Sequence, residues 1–189
     1  MTKEKILVAM SGGVDSSVAA HLMLQAGFDC VGATMTLCRG LPGVPPQDTT
    51  DARAVADKLQ IPFWVLEADA NFRARVVDAF VDAYENGLTP NPCIECNRHL
   101  KFRVMLDRAL EMGCDGIATG HYAIIRQDPD TGRYRLFKAA DPQKDQSYFL
   151  ACLNQEQLSR TYLPLGAYTK EEIRQIAEEQ GFLNARRKD

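Results

Sequence analysis

Long apolar stretches are missing from this sequence of 189 residues. No segment approaches the roughly 20 apolar residues that a membrane-spanning helix needs, so no membrane association is expected. The first residues, MTKEKILVAM, run directly into a glycine turn and lack the small-residue cleavage site of a signal peptide. We therefore expect a cytoplasmic protein.

An excess of charge of either sign is also missing. The 22 lysines and arginines nearly balance the 25 aspartates and glutamates, for a formal net charge of −3. Contact with RNA would therefore need local basic patches rather than bulk attraction. Hydrophobic residues make up 46% of the chain, which is enough for a domain with a substantial core. The sequence gives no indication of the oligomeric state.

Cysteines are present, but they are not expected to cross-link the fold. The six cysteines are Cys30, Cys38, Cys93, Cys96, Cys114 and Cys152. In a reducing compartment, closely spaced cysteines bind metal or react more often than they form structural disulfides. Cys30, Cys114 and Cys152 lie in apolar contexts and are expected to be buried thiols. Cys93 and Cys96 are the candidates for chemistry.

Short apolar runs alternate with helical periodicities along the chain. Strands are predicted at residues 5–10, 30–36, 61–66 and 116–125. Helices are predicted behind the first glycine turn and at residues 51–59, 71–86, 98–112 and within 154–183. A turn at residues 128–132 predicts a hairpin. This order predicts an α/β fold, a doubly wound parallel sheet of the Rossmann-like type with a short helical C-terminal extension. Trp64, in the third strand, is expected in the core.

The segment from Ser11 to Ser17, SGGVDSS, lies between the first predicted strand and helix. Glycines there let backbone N–H groups approach an anion, and the helix N-terminus favours negative charge. The hydroxyls of Ser11, Ser16 and Ser17 can donate to phosphate oxygens. Asp15 would repel phosphates unless it serves a Mg²⁺ ion, so the loop predicts a metal-bridged pyrophosphate. The lysine of a Walker loop is absent. A serine run that only caps a helix is the alternative interpretation.

This segment resembles the phosphate loop of the N-type ATP pyrophosphatases, which form an adenylate and release pyrophosphate. Further blocks, in the same order, resemble the tRNA 2-thiouridylases of the MnmA/TrmU family. These blocks are GATMT (32–36), TPNPCIECNRHLKF (89–102), ATGHYA (118–123), KDQSYFL (144–150) and PLG followed by TKEEIRQIAEEQGF. The resemblance spans essentially the whole chain and implies an adenine nucleotide alpha hydrolase-like fold.

The resemblance implies two groups of site residues. The residues implied to bind ATP are Ala9, Met10, Ser11, Gly12, Gly13, Val14, Asp15 and Ser16, with Met35 and Gly120. The residues implied to contact tRNA are Asn91, Pro92 and Cys93 at the target base, and His121, Lys144, Asp145 and Gln146 elsewhere. Cys96 matches the catalytic cysteine of the family.

The implied reaction activates a tRNA uridine, at the wobble position in this family, and then replaces its oxygen with sulfur. The C2 oxygen of uracil is a poor leaving group, whereas its AMP ester leaves readily. A cysteine persulfide, loaded by a sulfur-carrier protein, then delivers sulfur. A second cysteine releases that sulfur by closing a disulfide. The implied cofactors are ATP and Mg²⁺, and the implied partners are tRNA and the carrier.

One departure from the family concerns Cys93, where an aspartate is common. The resulting Cys93-Ile-Glu-Cys96 leaves two roles open for Cys93, a proton shuttle or a ligand of zinc or of a [4Fe–4S] cluster. Cys38 or a residue beyond this chain would then supply a third ligand. Glu95 is either an acid or a solvated side chain.

Residues 1–150 are predicted to form the adenylylating domain, and residues 151–189 the truncated start of a helical, tRNA-contacting linker domain. The family's partner cysteine is expected beyond Asp189, in which case the chain is part of a longer protein or a shortened family member.

Three other functions stay open. They are a small-molecule amidating synthetase, for which no glutaminase domain is visible, a non-catalytic nucleotide- and metal-binding module, and an iron–sulfur thiolase of the same fold.

The basic residues after the cysteine pair also have two interpretations. Arg98, His99, Lys101 and Arg103 either meet tRNA phosphates or form a solvated helical face. His121, after a predicted strand, is expected to contact substrate, because open α/β sheets bind ligands at the carboxyl ends of their strands. Residues 186–188 are expected to be a solvated end.

Overall fold

The computed structural model describes residues 3–37, 39, 43–45 and 47–185. Five strands form a parallel sheet: β1 (Lys5–Ala9), β2 (Asp29–Thr36), β3 (Phe63–Glu67), β4 (Gly116–Ala118) and β7 (Thr161–Tyr162). Their spatial order is β3-β2-β1-β4-β7. The strands β5 (Ile124–Gln127) and β6 (Tyr134–Phe137) pair as the antiparallel hairpin predicted around residues 128–132. The predicted α/β sheet fold is therefore confirmed.

Seven helical segments surround the sheet in the described part of the chain. They are α1 (Val14–Gln25), α2 (Thr50–Lys58), α3 (residues 69–85), α4 (residues 92–111), α5 (Ser147–Leu150), α6 (Gln155–Ser159) and α7 (Lys170–Glu179). Within α3, Arg73–Val77 is π-helical, as is Asn97–Val104 within α4. No helix of the described residues is long and apolar enough to cross a membrane.

Strand β1 divides its side chains between two cores because consecutive residues of a strand point to opposite faces. Ile6 and Val8 pack in one cluster with Val18 of α1 and Ile173 of α7. Leu7 packs in the other, which contains Leu100 and further residues of α4. Helices therefore cover both faces of the sheet, as a doubly wound fold requires.

Helix α4 begins earlier than residue 98, where the sequence predicted it. Asn91 caps it, since its side-chain oxygen accepts a hydrogen bond of 3.1 Å from the Cys93 N–H. Pro92 occupies the first helical position, where its missing N–H costs nothing. Cys93 and Cys96 consequently lie in the first turns of a helix rather than in a loop.

The predicted continuous strand 116–125 is wrong, because the chain leaves the sheet after Ala118 and begins β5 at Ile124. The prediction that residues 154–183 are only helical is also wrong. Thr161 and Tyr162 pair with β4 and complete the sheet. Gly116 permits this close approach, since a Cβ there would lie 2.4 Å from the Arg160 carbonyl oxygen. Residues assigned to a separate linker thus pack into the sheet.

Trp64 was expected in the core, and this expectation is wrong. The residue is 55% exposed. Strand β3 is an edge strand of the sheet, and Trp64 and its neighbour Val65 are both exposed. An apolar run therefore indicated the strand correctly but not the burial of its side chains.

Helix α4 is anchored by Leu100, which is fully buried, while Leu110 of the same helix is 36% exposed. Leu100→Ala should lower the free energy of unfolding by about 2–5 kcal/mol, since it leaves a cavity in a packed core. Leu110→Ala, the matched control, should change it by less than about 1 kcal/mol. Urea denaturation measures both, and equal losses would contradict the packing described for α4.

Candidate functional site

The turn between β1 and α1 lies at the carboxyl edge of the sheet. Gly12 has a φ of +84°, a conformation that favours glycine. The Ser11 N–H donates to the Ser16 hydroxyl over 3.2 Å, and the Ser16 hydroxyl donates to the Gly13 carbonyl over 3.0 Å. These bonds hold the turn against the first residues of α1. Strand β1 is flanked by β2 and β4, so the turn lies between the loops that follow its neighbours.

A cleft of about 430 Å³ opens beside this turn. Ten residues predicted for the site line it: Ala9, Met10, Ser11, Asp15, Ser16, Met35, Gly120, His121, Lys144 and Gln146. The sequence did not single out several others: Ala33, Thr34, Leu37, Gln47, Met105, Thr119 and Tyr122. The structure thus brings together part of the predicted nucleotide residues and part of the predicted tRNA residues.

Nine predicted residues do not line the cleft: Gly12, Gly13, Val14, Ser17, Asn91, Pro92, Cys93, Cys96 and Asp145. Ser17 is fully buried. Its hydroxyl donates to the Gly13 carbonyl over 2.9 Å and accepts from the Asn184 side-chain amide over 2.9 Å. In this arrangement Ser17 holds the turn to the C-terminal segment.

Asp15 is the carboxylate of the cleft, and its partners come from distant parts of the chain. The Lys170 ammonium donates to Oδ1 over 2.7 Å and to Oδ2 over 2.9 Å. The Tyr122 hydroxyl donates to Oδ1 over 2.7 Å. Neither partner was predicted, because 155 and 107 positions separate them from Asp15. The only signal for these two residues in the sequence was their place in family-like blocks, ATGHYA for Tyr122 and TKEEIRQIAEEQGF for Lys170.

The segment after β4 forms one wall of the cleft. Gly120 approaches α1 so closely that a Cβ would lie 2.9 Å from the Ser16 backbone nitrogen. Gln146 supports the wall, since its side-chain oxygen accepts from the Tyr122 N–H over 3.0 Å and its own N–H donates to the Tyr122 carbonyl over 2.8 Å. The Asp145 carboxylate instead accepts from the Ala139 N–H and the Ser147 hydroxyl. It therefore holds its own loop.

His121 lies half-buried in this wall. Its Nδ1 shares a hydrogen bond of 2.8 Å with the Thr119 hydroxyl, and its ring packs on Phe102 at 5.6 Å between centroids. Burial, followed by the positive charge of Lys101, lowers the pKa of His121 to about 3. The side chain is therefore a neutral imidazole near pH 7, with hydrogen-bonding capacity but no charge.

The basic residues on α4 have two kinds of surroundings. Arg98 and His99 both bond to Glu95, over 3.1 Å and 3.2 Å. Arg103 pairs with Asp107 over 3.2 Å. These side chains form a paired outer face of the helix. Lys101 instead lines the cleft.

The cysteine pair lies on α4, with Cys93 exposed and Cys96 half-buried against the same core as Leu100. Cys152 was expected to be buried but is only half-buried, and its sulfur lies 3.9 Å from the Ile94 carbonyl oxygen. Burial is the main cause that raises the pKa of the Cys152 thiol. Cys30 and Cys114 are buried as predicted, and burial raises the pKa of Cys30 to about 11.

A metal cluster at the cysteine pair finds no support in the described residues. No group of three or more histidine, cysteine, aspartate or glutamate side chains there is arranged to hold a metal ion. Cys38, the suggested third ligand, and residues 186–188 lie outside the residues that the structure describes.

Residues 4–189 match the family model described as the tRNA methyl transferase HUP domain. The tRNA-specific 2-thiouridylase MnmA of Treponema denticola is 50% identical over 190 residues, which cover 98% of this chain and 52% of the relative. The MnmA of Clostridioides difficile is 48% identical over 191 residues, covering 95% and 52%. The chain therefore spans about half the length of the curated relatives it matches.

Solved structures share the fold at lower identity. A 4-thiouridine synthetase in complex with RNA and ATP is 20% identical with a TM-score of 0.66, covering 96% of this chain and 42% of that one. The U34-tRNA thiolase NcsA of Methanococcus maripaludis, with its [4Fe–4S] cluster, is 20% identical with a TM-score of 0.56, covering 95% and 57%. At these identities the likeness concerns the fold alone.

The low pKa of His121 predicts a pH dependence of stability. Between pH 6.5 and about 3 the unfolded chain binds a proton at this residue that the folded chain does not. Above pH 6.5 the residue is neutral in both states, and the free energy of unfolding falls as the pH drops below that value. From pH 7 to 5, the free energy of unfolding should fall by about 1–2 kcal/mol more in the wild type than in His121→Gln. Urea denaturation at both pH values measures this, and parallel losses would contradict the burial argument.

Proposed function

Because this chain belongs to the tRNA methyl transferase HUP domain family, and its relatives of about half identity are tRNA-specific 2-thiouridylases, we propose that it takes part in tRNA 2-thiouridine synthesis. In this proposal ATP adenylylates the C2 oxygen of a uridine, at the wobble position, and pyrophosphate leaves. Sulfur from a cysteine persulfide then replaces the AMP ester. The observation that carries the proposal is the cleft in which the glycine turn, Asp15 and the wall from Thr119 to Tyr122 meet. The family description names methyl transfer. A glycine turn at a helix N-terminus favours a phosphate-bearing ligand such as ATP instead.

The cleft offers suitable partners for ATP. Met10, Ala33, Met35 and Leu37 give its lining an apolar part, on which an adenine ring could pack. The N-terminus of α1, where Asp15 and Ser16 line the cleft, favours phosphates through its backbone N–H groups. ATP would therefore lie with its base toward β2 and its phosphates toward α1.

The cleft contains oxygen donors of the kind that Mg²⁺ binds, and both oxygens of one of them, Asp15, also accept from the Lys170 ammonium. The Asp15 carboxylate and the Ser11 and Ser16 hydroxyls line the cleft, and Mg²⁺ prefers oxygen ligands shared between protein and phosphates. When bound, the ion would neutralise charge on the departing pyrophosphate. The chain's own contribution is to hold Asp15 at the start of α1 through Tyr122 and Lys170.

Residues suited to the RNA substrate lie on helix α4, in the segment after β4 and in the loop after β6. Lys101 and Lys144 line the cleft, and cations in such positions attract phosphates. His121, being neutral, can donate or accept one hydrogen bond to a uracil without adding charge. The proposal includes binding of tRNA by these residues and by residues 91–93, near the start of α4.

The cysteine pair would carry the sulfur. Cys96 would receive a persulfide from a sulfur-carrier protein in the reducing cytoplasm. Its terminal sulfur attacks C2 and AMP departs with the C2 oxygen. The thiolate of a second cysteine then attacks the Cys96 sulfur, which closes a disulfide and leaves the terminal sulfur on C2. Cys96 is half-buried in α4, and Cys93 is exposed in the first turn of the same helix.

The adenylylation step is tested by pyrophosphate release with ATP, Mg²⁺ and tRNA. Asp15→Asn keeps the shape of the side chain and removes its charge, so release should fall by about 100-fold. Asp107→Asn, which alters an exposed partner of Arg103, is the control and should release pyrophosphate like the wild type. Near-normal release by Asp15→Asn would mean that the turn does not have this function.

The sulfur step is tested separately. Cys96→Ser should abolish sulfur incorporation into tRNA and leave pyrophosphate release within about threefold of wild type, because sulfur enters after activation. Cys152→Ser is the control, since this proposal gives Cys152 no chemical role. Pyrophosphate release is measured on the same samples. Its loss in Cys96→Ser would contradict the order of steps.

A further inference from the structure

Lys170, in the C-terminal helix α7, reaches the carboxylate of Asp15 in the candidate nucleotide site. We propose that Lys170 is a positioning residue of that site, a buried counter-ion that fixes Asp15 and cancels its charge so that the turn accepts phosphates. The inference rests on the proposed function, because it assumes that the cleft binds ATP.

The position of Lys170 is set by its own helix start. The Thr169 hydroxyl caps α7, and the Glu172 side chain bonds back to the Thr169 N–H over 2.7 Å. The Lys170 N–H also donates to Asp141 over 3.1 Å. The backbone of Lys170 is therefore fixed at the start of α7, beside Thr169 and Asp141.

The ammonium of Lys170 approaches Asp15 from the protein side. The Lys170 side chain is 10% exposed and that of Asp15 is 31% exposed. Asp15 lines the cleft, whereas Lys170 is not among its lining residues. Bonds of 2.7 and 2.9 Å engage both carboxylate oxygens. Lys170 thus acts on the cleft through Asp15 rather than by direct contact.

The segment that carries Lys170 is tied to the turn at a second point. Ile173 and Ala177 of α7 are fully buried in the same cluster as Val18 of α1. Beyond the helix, the buried Asn184 amide donates to the Gly12 carbonyl over 2.8 Å. Docking of residues 170–185 therefore brings two side chains to the glycine turn.

The charge of Asp15 explains why such a counter-ion matters. A carboxylate beside phosphates repels them, and Asp15 keeps its full negative charge if the buried Lys170 ammonium is removed. With Lys170 in place, the pair is neutral before any ligand arrives. Without it, Asp15 lacks its bound ammonium, and a cation such as Mg²⁺ that binds at the carboxylate would offset its charge. Removal of Lys170 should therefore weaken metal-free ATP binding more than binding of ATP with Mg²⁺.

Isothermal titration with ATP, in EDTA and in Mg²⁺, tests this on the purified chain. Lys170→Met should weaken metal-free ATP binding by at least about tenfold, and binding with Mg²⁺ by about threefold or less. Lys170→Arg keeps the charge and should recover most of the metal-free affinity. Lys58→Met is the matched control, because Lys58 bonds the Gly181 carbonyl of the same segment over 2.8 Å. Its affinities should match the wild type.

A double-mutant cycle with Asp15→Asn separates positioning from a general structural effect. If Lys170 acts through Asp15, D15N/K170M should bind metal-free ATP within about twofold of D15N alone. If Lys170→Met alone fails to fold, the comparison of D15N/K170M with D15N still tests the inference. A further tenfold loss in the double variant, or equal behaviour of Lys170→Met and Lys58→Met, would overturn the inference. A wild-type chain that binds no ATP even with Mg²⁺ would overturn the proposed function as well.

Discussion

The residues that follow β4 touch the start of helix α1, and the candidate site depends on that contact. A side chain at position 120 would collide with the Ser16 backbone nitrogen, at 2.9 Å, so glycine is what lets the two loops meet. The Tyr122 hydroxyl can then reach Asp15 over 2.7 Å. Because β1 and β4 are neighbours in the sheet, the loops at their carboxyl ends share one edge. Turn and wall therefore form a single cleft.

The electrostatics of this cleft differ from those of the whole chain. The net charge is −3, yet among the residues that the structure describes, the charged ones lining the cleft are Lys101, Lys144 and Asp15. Cations on a concave surface attract anions more effectively than the same charges on an open surface. A phosphate-rich ligand is therefore compatible with an acidic protein, because the local arrangement of charge decides its binding.

Helix α4 connects the core, the cleft and the cysteine pair. Leu100 fixes the helix in the core, while Lys101, the next residue, lines the cleft. Cys93 and Cys96 lie at the N-terminal end of the same helix. A helix anchored by one buried face can hold these groups at constant separation. The cleft and the sulfur-carrying residues of the proposal thus share one mechanical support.

The sequence by itself determined the features that depend on neighbouring residues. It predicted the strand, glycine turn and helix around Ser11–Ser17, the hairpin and most other elements, because periodicity and turn chemistry act over a few positions. Only the tertiary structure decided the two-residue strand β7, the exposure of Trp64 and the choice of Lys101 over Arg103 as a cleft residue. It also decided the pair of Asp15 and Lys170, which lie 155 positions apart. Such outcomes depend on strand order and on which faces of the elements pack together, and short-range patterns do not encode either.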